Sequence, residues 1–358
     1  MHKLQQKDRM APSERMKGLL AKTPIDRVPF DPRARGLAAR LHGVDRGVFY
    51  RNPQVAFDAG LRLLELYPWM NTGPTYGWVD IGTWEFGGDV VWPDGDRYAA
   101  PGVGSPVVKT PDDVDKLPVP DPLTAGMNGL LHQFNEIRVG HGMSAVLPAA
   151  TPTNHSIGAC GAGNFLRWML KYPGAIHKLQ RKVTDFILAT SKYVIDTYGA
   201  GKCTVFPGLP NESNQLLSPG MFEEFCLPYI KELIGYFRDR GVVSMGVHLC
   251  GDHTGNLCFW KDVPLTPRSI FFIGNEMDIE KSAEVIGPDH IIAGNISNAI
   301  LQRGTPKDVY DDAVRCLKAG MKHPGGFLLM PACEIAANLP LENLDAIADA
   351  LYDHGFYE

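Results

Sequence analysis

The chain has 358 residues, 44% of them hydrophobic and 21% charged, with a formal net charge of -5; such a composition buries a large core and excludes the disordered and fibrous classes. Lysine and arginine are scattered and not clustered, so the electrostatic footprint of a nucleic-acid partner is missing, and no stretch approaches the roughly eighteen apolar residues of a membrane span. The polar, amphipathic start MHKLQQKDRMAPSERMKGLL lacks the apolar centre of a secretion signal, so a cytoplasmic protein with reduced thiols is expected.

Short β-rich runs alternate with longer helical patterns, the rhythm of βα units repeated around a parallel sheet. In chain order, RVPF (27–30) reads as a strand and 53–66 as a helix. Residues 70–125 break the rhythm: rich in Gly, Pro and Trp, they read as loops and short strands, an excursion expected to cover the barrel mouth and exclude water. Then come the strand SAVLPAA (144–150), a helix over 163–199 with a break near Tyr172-Pro173-Gly174, the strand CTVFPG (203–208) and a helix over 219–239. The strand VVSMGVHL (242–249) is followed by a helix starting at Asp252, then by IFFIG (270–274), HIIAGNI (290–296), a helix over 306–319, GFLLMP (326–331) and a helix over 341–354. Both of the last helices open on Pro with carboxylates soon after, which suits the orphan N–H groups and the positive end of the helix dipole. The fold predicted is α/β: a single (β/α)8 TIM-barrel domain spanning 1–358, with an N-terminal helical extension and the loop excursion.

The seven cysteines (160, 203, 226, 250, 258, 316, 333) are odd in number and widely spaced, which argues against a disulfide framework. Cys203, Cys226 and Cys316 sit among apolar neighbours and read as small core hydrophobes. His248 and Cys250, by contrast, end the strand VVSMGVHL, and Cys333 lies just past GFLLMP; in a barrel these are two strand ends of the catalytic face. One histidine and two cysteinates form a borderline-soft set suited to Zn²⁺, and three protein ligands leave the fourth position open, as catalytic sites do. Metal-bound thiols are deprotonated, so the chemistry that follows is thiol activation. HxC alone is a weak motif and Cys333 is remote in sequence, so a strand end without metal remains open on the residues alone. His253 and Cys258 compete for the ligand role, but on a helix from Asp252 they lie past the first turn or face inward, and read as a stray histidine and a core cysteine.

Three stretches together resemble the uroporphyrinogen decarboxylase superfamily: RMKGLLAKTPIDRVPF (15–30), LLSPGMFEEFCLPYIKELI (216–234) and GNISNAILQRGTPKDVYDDAVRCLKAGMKHPGGFLLMPACEIAANLPLENLDAI (294–347). The true decarboxylases carry an arginine-rich RQAGR-like loop after the first strand to grip porphyrin carboxylates. Here that stretch is DPRARGLAARLHG, with Arg33 and Arg35 but not that motif. The chain instead resembles the methylcobamide:coenzyme M methyltransferase branch, whose zinc is held by HxC plus a distant Cys, a pattern that His248, Cys250 and Cys333 match. The resemblance implies a (β/α)8 barrel, a catalytic Zn²⁺, and methyl transfer between a corrinoid and a thiol such as coenzyme M. No DxHxxG-type corrinoid loop is present, so the cobamide is expected on a separate corrinoid protein or in free form. Two alternatives stand beside it: a metal-free tetrapyrrole decarboxylase, which needs several converging arginines, and a non-catalytic barrel with a structural zinc, which needs a fourth fixed ligand.

Several rim residues complete the expected site. Glu334 is either an exchangeable fourth ligand or a carboxylate beside the metal. Asp278, in GNEMDIEK, either orients His248 or caps the next helix. Asn211 and Glu212 in GLPNESNQ, with Thr151, Thr153 and His155 in AATPTNHS, are pocket candidates or helix caps. Tyr76, Trp78, Trp84 and Trp92 form either a lid or platform for a corrin ring or aromatic donor, or the packing of a Gly-rich loop against the barrel.

Overall fold

A computed structural model describes residues 2–71, 73–93, 100–148 and 150–358; residues 72 and 94–99 of the excursion, and Ala149 of the strand read over 144–150, lie outside the described residues. Six parallel strands follow one another in sequence order: β1 (Ala145–Val146), β2 (Cys203–Val205), β3 (Ser244–Leu249), β4 (Ile270–Ile273), β5 (Ile291–Ile296) and β6 (Phe327–Pro331). Parallel neighbours need a crossover, and helices supply it after β1 (Pro152–Cys160, Ala162–Lys171, Pro173–Tyr198), β2 (Pro219–Phe225, Leu227–Asp239), β4 (Ile279–Ile286) and β5 (Asn298–Arg303, Pro306–Gly320). Helix Leu341–His354 follows β6.

Two irregular staves continue the barrel. Phe30 bridges Leu329 in parallel, with Leu329 N–H donating to Pro29 O at 3.0 Å and Asp31 N–H to Leu329 O at 3.2 Å, so the RVPF run lies beside β6. Asn71 N–H then donates to Phe30 O at 2.6 Å. Farther along the same segment, the Arg138 guanidinium donates to both Pro74 O and Ser144 O, tying this stretch to the start of β1. The opening of the predicted excursion is therefore barrel wall. Only beyond it do a two-stranded ribbon (Val90–Val91 with Gly102–Val103) and a short helix (Asp113–Lys116) leave the βα rhythm.

The strands β4 and β6 are buried at every position, as the unbroken apolar runs IFFI and FLLMP require of a sheet covered on both faces. Their alternation separates two cores. Ile270, Phe272, Ile291, Ala293, Leu328 and Met330 join Leu19 in one cluster, filling the barrel interior, whereas Phe271, Ile273, Ile292, Phe327 and Leu329 pack outward against the helices. Leu19 enters from the N-terminal helix Pro12–Ala21, which is anchored by Arg268 donating to Leu19 O at 2.6 Å and Leu20 O at 3.1 Å.

Two expectations need correction. The helix read over 219–239 is two helices that break at Cys226. The helix expected from Asp252 is instead a 3₁₀ stretch, Thr254–Asp262. Gly251, Gly255 and the nearby Pro264 weaken helix propensity there, and Asp252 Oδ1 accepts the Thr254 N–H at 2.9 Å, which favours a local turn.

Candidate metal centre and its cavity

Backbone pairing sets the first two candidate ligands. His248 N–H donates to Pro207 O and Leu209 N–H to His248 O, at 2.9 and 2.8 Å, which fixes the end of β3 against the chain leaving β2. Cys250 follows one residue later, and the chain turns away at Gly251, whose φ of 88° lies where only glycine is unstrained. Cys333 arrives from β6, held by the Asn298 side chain as by a clamp: Cys333 N–H donates to Asn298 Oδ1 at 3.0 Å, and Asn298 Nδ2 donates to Glu334 O at 2.6 Å.

The imidazole nitrogens of His248 and the sulfurs of Cys250 and Cys333 bring ligand atoms within 4.8 Å of one another. The two sulfurs are 3.9 Å apart; a tetrahedral zinc with bonds of about 2.3 Å would set them about 3.8 Å apart. His248 Nδ1 is buried without a hydrogen-bond partner, as a nitrogen left for a metal would be. Hydrogen bonding from the Cys250 thiol, and then from His248, draws the Cys333 thiol below its ordinary range against the opposing effect of burial. The same bond, with burial, pushes the Cys250 thiol up. A divalent cation would hold both sulfurs as thiolates, and the residues present fit such an ion.

Phe206 lies parallel to the His248 ring, centroids 5.8 Å apart, and the Arg33 guanidinium carbon stands 3.4 Å from the Phe206 centroid. Arg33 adopts a φ of 41°, with its backbone N–H donating to Asp31 Oδ1 at 3.1 Å. Its Nε is buried without a partner. These groups wall a cavity of about 280 Å³ in the barrel mouth, reached by His248, Cys250, Cys333 and Glu334, and lined on its apolar side by Met127, Leu131, Trp78, Ile81 and Met330.

The other expected residues fall into distinct places. Glu334 lines the cavity, but its carboxylate is paired with Arg35 and accepts the Gly36 N–H at 3.2 Å, so it stands beside the three ligand candidates as a partner of Arg35. Asp278 caps helix Ile279–Ile286, accepting the Lys281 N–H at 2.8 Å, and makes no bond to His248. Asn211 donates to Asn154, and it is Asn154 that faces the cavity. Glu212 is fully buried behind it and accepts from the Thr151 hydroxyl. Thr151 also caps helix Pro152–Cys160, Thr153 accepts from Gln180 Nε2 at 3.0 Å, and His155 is buried with a ring nitrogen 3.2 Å from Thr151 O. His253 is fully buried, its Nε2 3.1 Å from Leu209 O, and burial pulls it down to about 4. Cys258 is exposed, not a core residue, and lies apart from the three converging side chains. Tyr76 and Trp78 line the cavity, while Trp84 and Trp92 pack around Trp78 at 6.2 and 5.6 Å, so the aromatic residues divide between wall and support.

Sequence reasoning missed Phe206, Arg138, Asn154 and Asn298. Phe206 and Asn298 do sit just beyond strand ends, in CTVFPG and GNISN, which is the one local signal that marked them.

Burial pushes the Glu212 carboxyl up to about 7 from 4.5, against the lowering pull of Thr151 and the Asn211 N–H. A carboxyl raised on folding adds stability below its unfolded value and loses it as pH rises through the folded value. Glu212→Gln is therefore expected to match the parent near pH 4.5 and exceed it by roughly 3 kcal/mol near pH 8, read from denaturation midpoints across that range. Parallel pH curves for the two proteins would show that Glu212 titrates as in the unfolded chain.

Among the described residues no helix is long and apolar enough to cross a membrane. A methylated-thiol–coenzyme M methyltransferase of Methanosarcina mazei is 28% identical over 72% of this chain and 66% of its own length. A methylcobamide:CoM methyltransferase of Methanosarcina acetivorans is 26% identical over 48% of each chain. A uroporphyrinogen decarboxylase of Myxococcus xanthus is 24% identical over 58% of each. The chain thus spans between about half and two thirds of the length of these curated relatives. A solved methyltransferase from Methanosarcina mazei shares the fold, with a TM-score of 0.78 at 20% identity over 96% of this chain and 98% of its own. The family model of uroporphyrinogen decarboxylase (URO-D) matches residues 11–354, and the chain is a member of that family.

Proposed function

We propose that the protein is a zinc-dependent methyltransferase that moves a methyl group between a corrinoid and a small thiol, with His248, Cys250 and Cys333 holding the metal. The observation that carries this reading is the convergence of those three ligand types at one end of the barrel, with the sulfur spacing of a tetrahedral site. The chain works as one unit in the cytosol, with the corrinoid presented by a separate protein. The relatives named for coenzyme M and methylcobamide support the same chemistry.

A Zn²⁺ bound there supplies a fixed positive charge that lowers the pKa of an incoming thiol, so that it reacts as thiolate near neutral pH. The protein's own share is binding and orientation. Arg33, with a free Nε, faces the cavity as a rigid cation for an acidic group on the thiol, and Met127, Leu131, Ile81 and Met330 keep water from the reacting sulfur. In the transfer, the thiolate's electron pair forms the S–CH₃ bond, the methyl–cobalt pair stays on cobalt, which falls from Co(III) to Co(I), and the thiol proton goes to solvent.

A tetrapyrrole decarboxylase would need several arginines free to meet carboxylates. Of the cavity arginines, Arg35 is taken by Glu334 and Gly77 O, and Arg138 by Pro74 O and Ser144 O. The deciding experiment combines metal analysis with an assay of methylcobalamin against coenzyme M and a panel of other thiols. About one equivalent of zinc and formation of a methyl thioether are expected. Absence of both zinc and methyl transfer for every thiol, with decarboxylation of a porphyrinogen instead, would overturn the reading.

A further inference from the structure

The barrel interior is filled on one side and hollow on the other. Toward β4, β5 and β6 the inward side chains Phe272, Ala293 and Leu328 are buried against one another, as barrel interiors usually are. Toward β1 and β2, Val146, Thr204 and Phe206 face the cavity and keep part of their surface open, while Ala145, Cys203 and Val205 alternate with them and are buried in the outer core. Gly208 bridges His248, and Thr204 stands four residues earlier, so the space descends along about 13 Å of strand from the level of the candidate ligands.

The hollow arises because a helix closes the wall beside β1. Leu131, Asn135 and Arg138 share one face of helix Asn128–Gly140. Asn135 Nδ2 donates to Val146 O at 2.9 Å and accepts the Val146 N–H on Oδ1 at 2.8 Å, so a side-chain amide takes the backbone groups that a further strand would pair. Arg138 spans the seam to Pro74 O and Ser144 O. On the opposite side Gly246 makes room for two rings: a Cβ there would meet Phe206 and Phe272 at 2.8 Å each. Val146, Leu131, Met127, Trp78 and Phe206 make the lining mainly hydrocarbon and aromatic, and the Asn154 amide is committed to Val79 O and Asn211.

Resting on the reading as a corrinoid-linked methyltransferase, we infer that this hollow selects the thiol: the reactant is a mercapto acid with a ring-sized apolar body that lies below the metal. A barrel interior has room for side chains or one small ligand, so a corrin stays at the mouth and the depth is left to the other reactant. Coenzyme M, with two methylenes between sulfur and sulfonate, offers this wall almost no hydrocarbon, whereas a flat ring meets Trp78 and Phe206. Phe206 borders the hollow, stacks on His248 and carries the Arg33 guanidinium, so one molecule can place its sulfur at the metal, its acid on Arg33 and its body below. A body directed downward leaves the outer side of the sulfur open to a methyl group arriving in line from the mouth.

The test is calorimetry on the zinc-loaded protein with coenzyme M and with 3-(mercaptomethyl)benzoate, both alkyl thiols, so that thiol acidity differs little between them. The aryl acid is expected to bind on the order of 10–10²-fold more tightly, and to show the same preference in kcat/KM for methyl transfer from methylcobalamin. Thr204→Phe and Val146→Phe each put a ring into the hollow, and each is expected to cut that preference by about tenfold or more, with zinc content as in the parent. The comparison in the parent protein needs no variant, so it decides even where a substitution prevents folding. An aryl acid that binds no better than coenzyme M overturns the inference, as does a preference that survives in a folded variant. If coenzyme M accepts the methyl group while the aryl acid is not preferred, the inference alone fails; if no thiol binds or accepts a methyl group, the functional reading itself fails.

Discussion

Cys250→Ser and Cys333→Ser are each expected to give a folded protein that no longer retains zinc or transfers methyl groups. Serine replaces a soft thiolate by a hydroxyl that is hard to deprotonate near neutral pH, so one of three metal bonds is lost together with the negative charge that favours the cation. The loss of activity should exceed the roughly 10–100-fold cost of removing a group that merely supports a metal ligand. The barrel survives because neither cysteine belongs to the two buried apolar clusters, and stability rests on those clusters. Cys258→Ser, at an exposed position away from the site, keeps both metal and activity. X-ray absorption of the parent should show about two sulfur neighbours near 2.3 Å and a nitrogen near 2.0–2.1 Å. Full zinc content in Cys333→Ser, or its loss in Cys258→Ser, would defeat the ligand assignment.

Arg33→Met carries the second large effect. The guanidinium is held against Phe206 and near Phe272, at 3.4 and 5.1 Å to the ring centroids, so its direction is set before any ligand arrives. Burial pulls its pKa down, but the neighbouring Asp31 opposes this, and an arginine remains charged at neutral pH. A charge-assisted hydrogen bond is worth about 1.5–3 kcal/mol, so an acidic thiol such as coenzyme M should lose roughly 10–10²-fold in affinity, seen in KM more than in kcat. An uncharged thiol of similar size should bind as before, and zinc content should not change. Equal losses for charged and uncharged thiols would show that Arg33 works through the Phe206 and His248 stack and not through its charge.

The amino-acid sequence by itself determined the elements whose signal is local. The helices over 53–66 and 341–354 have the bounds read from their periodicity and proline starts, and β4, β5 and β6 lie within the apolar runs that announced them. Strand-end position also singled out His248, Cys250 and Cys333, because a histidine and cysteines just beyond apolar runs are visible in one dimension. Tertiary structure decided what depends on distant partners. Asn71 and Pro74 lie against the barrel because Phe30 and Arg138 tie them there, and their Gly- and Pro-rich surroundings have no strand period to reveal this. Glu334 is a partner of Arg35 because that guanidinium, 299 positions away, reaches it; adjacency to Cys333 gave no means of choosing. Asp278 could be read either as a cap or as a partner of His248, and only the helix start at Ile279 selects the cap. Nor could spacing reveal that Arg33 folds over Phe206, itself stacked on His248, since that follows from chain segments far apart in sequence. Local backbone preference acts over a few residues, whereas the charge and access of a site are set by groups the closed barrel brings together from the whole chain.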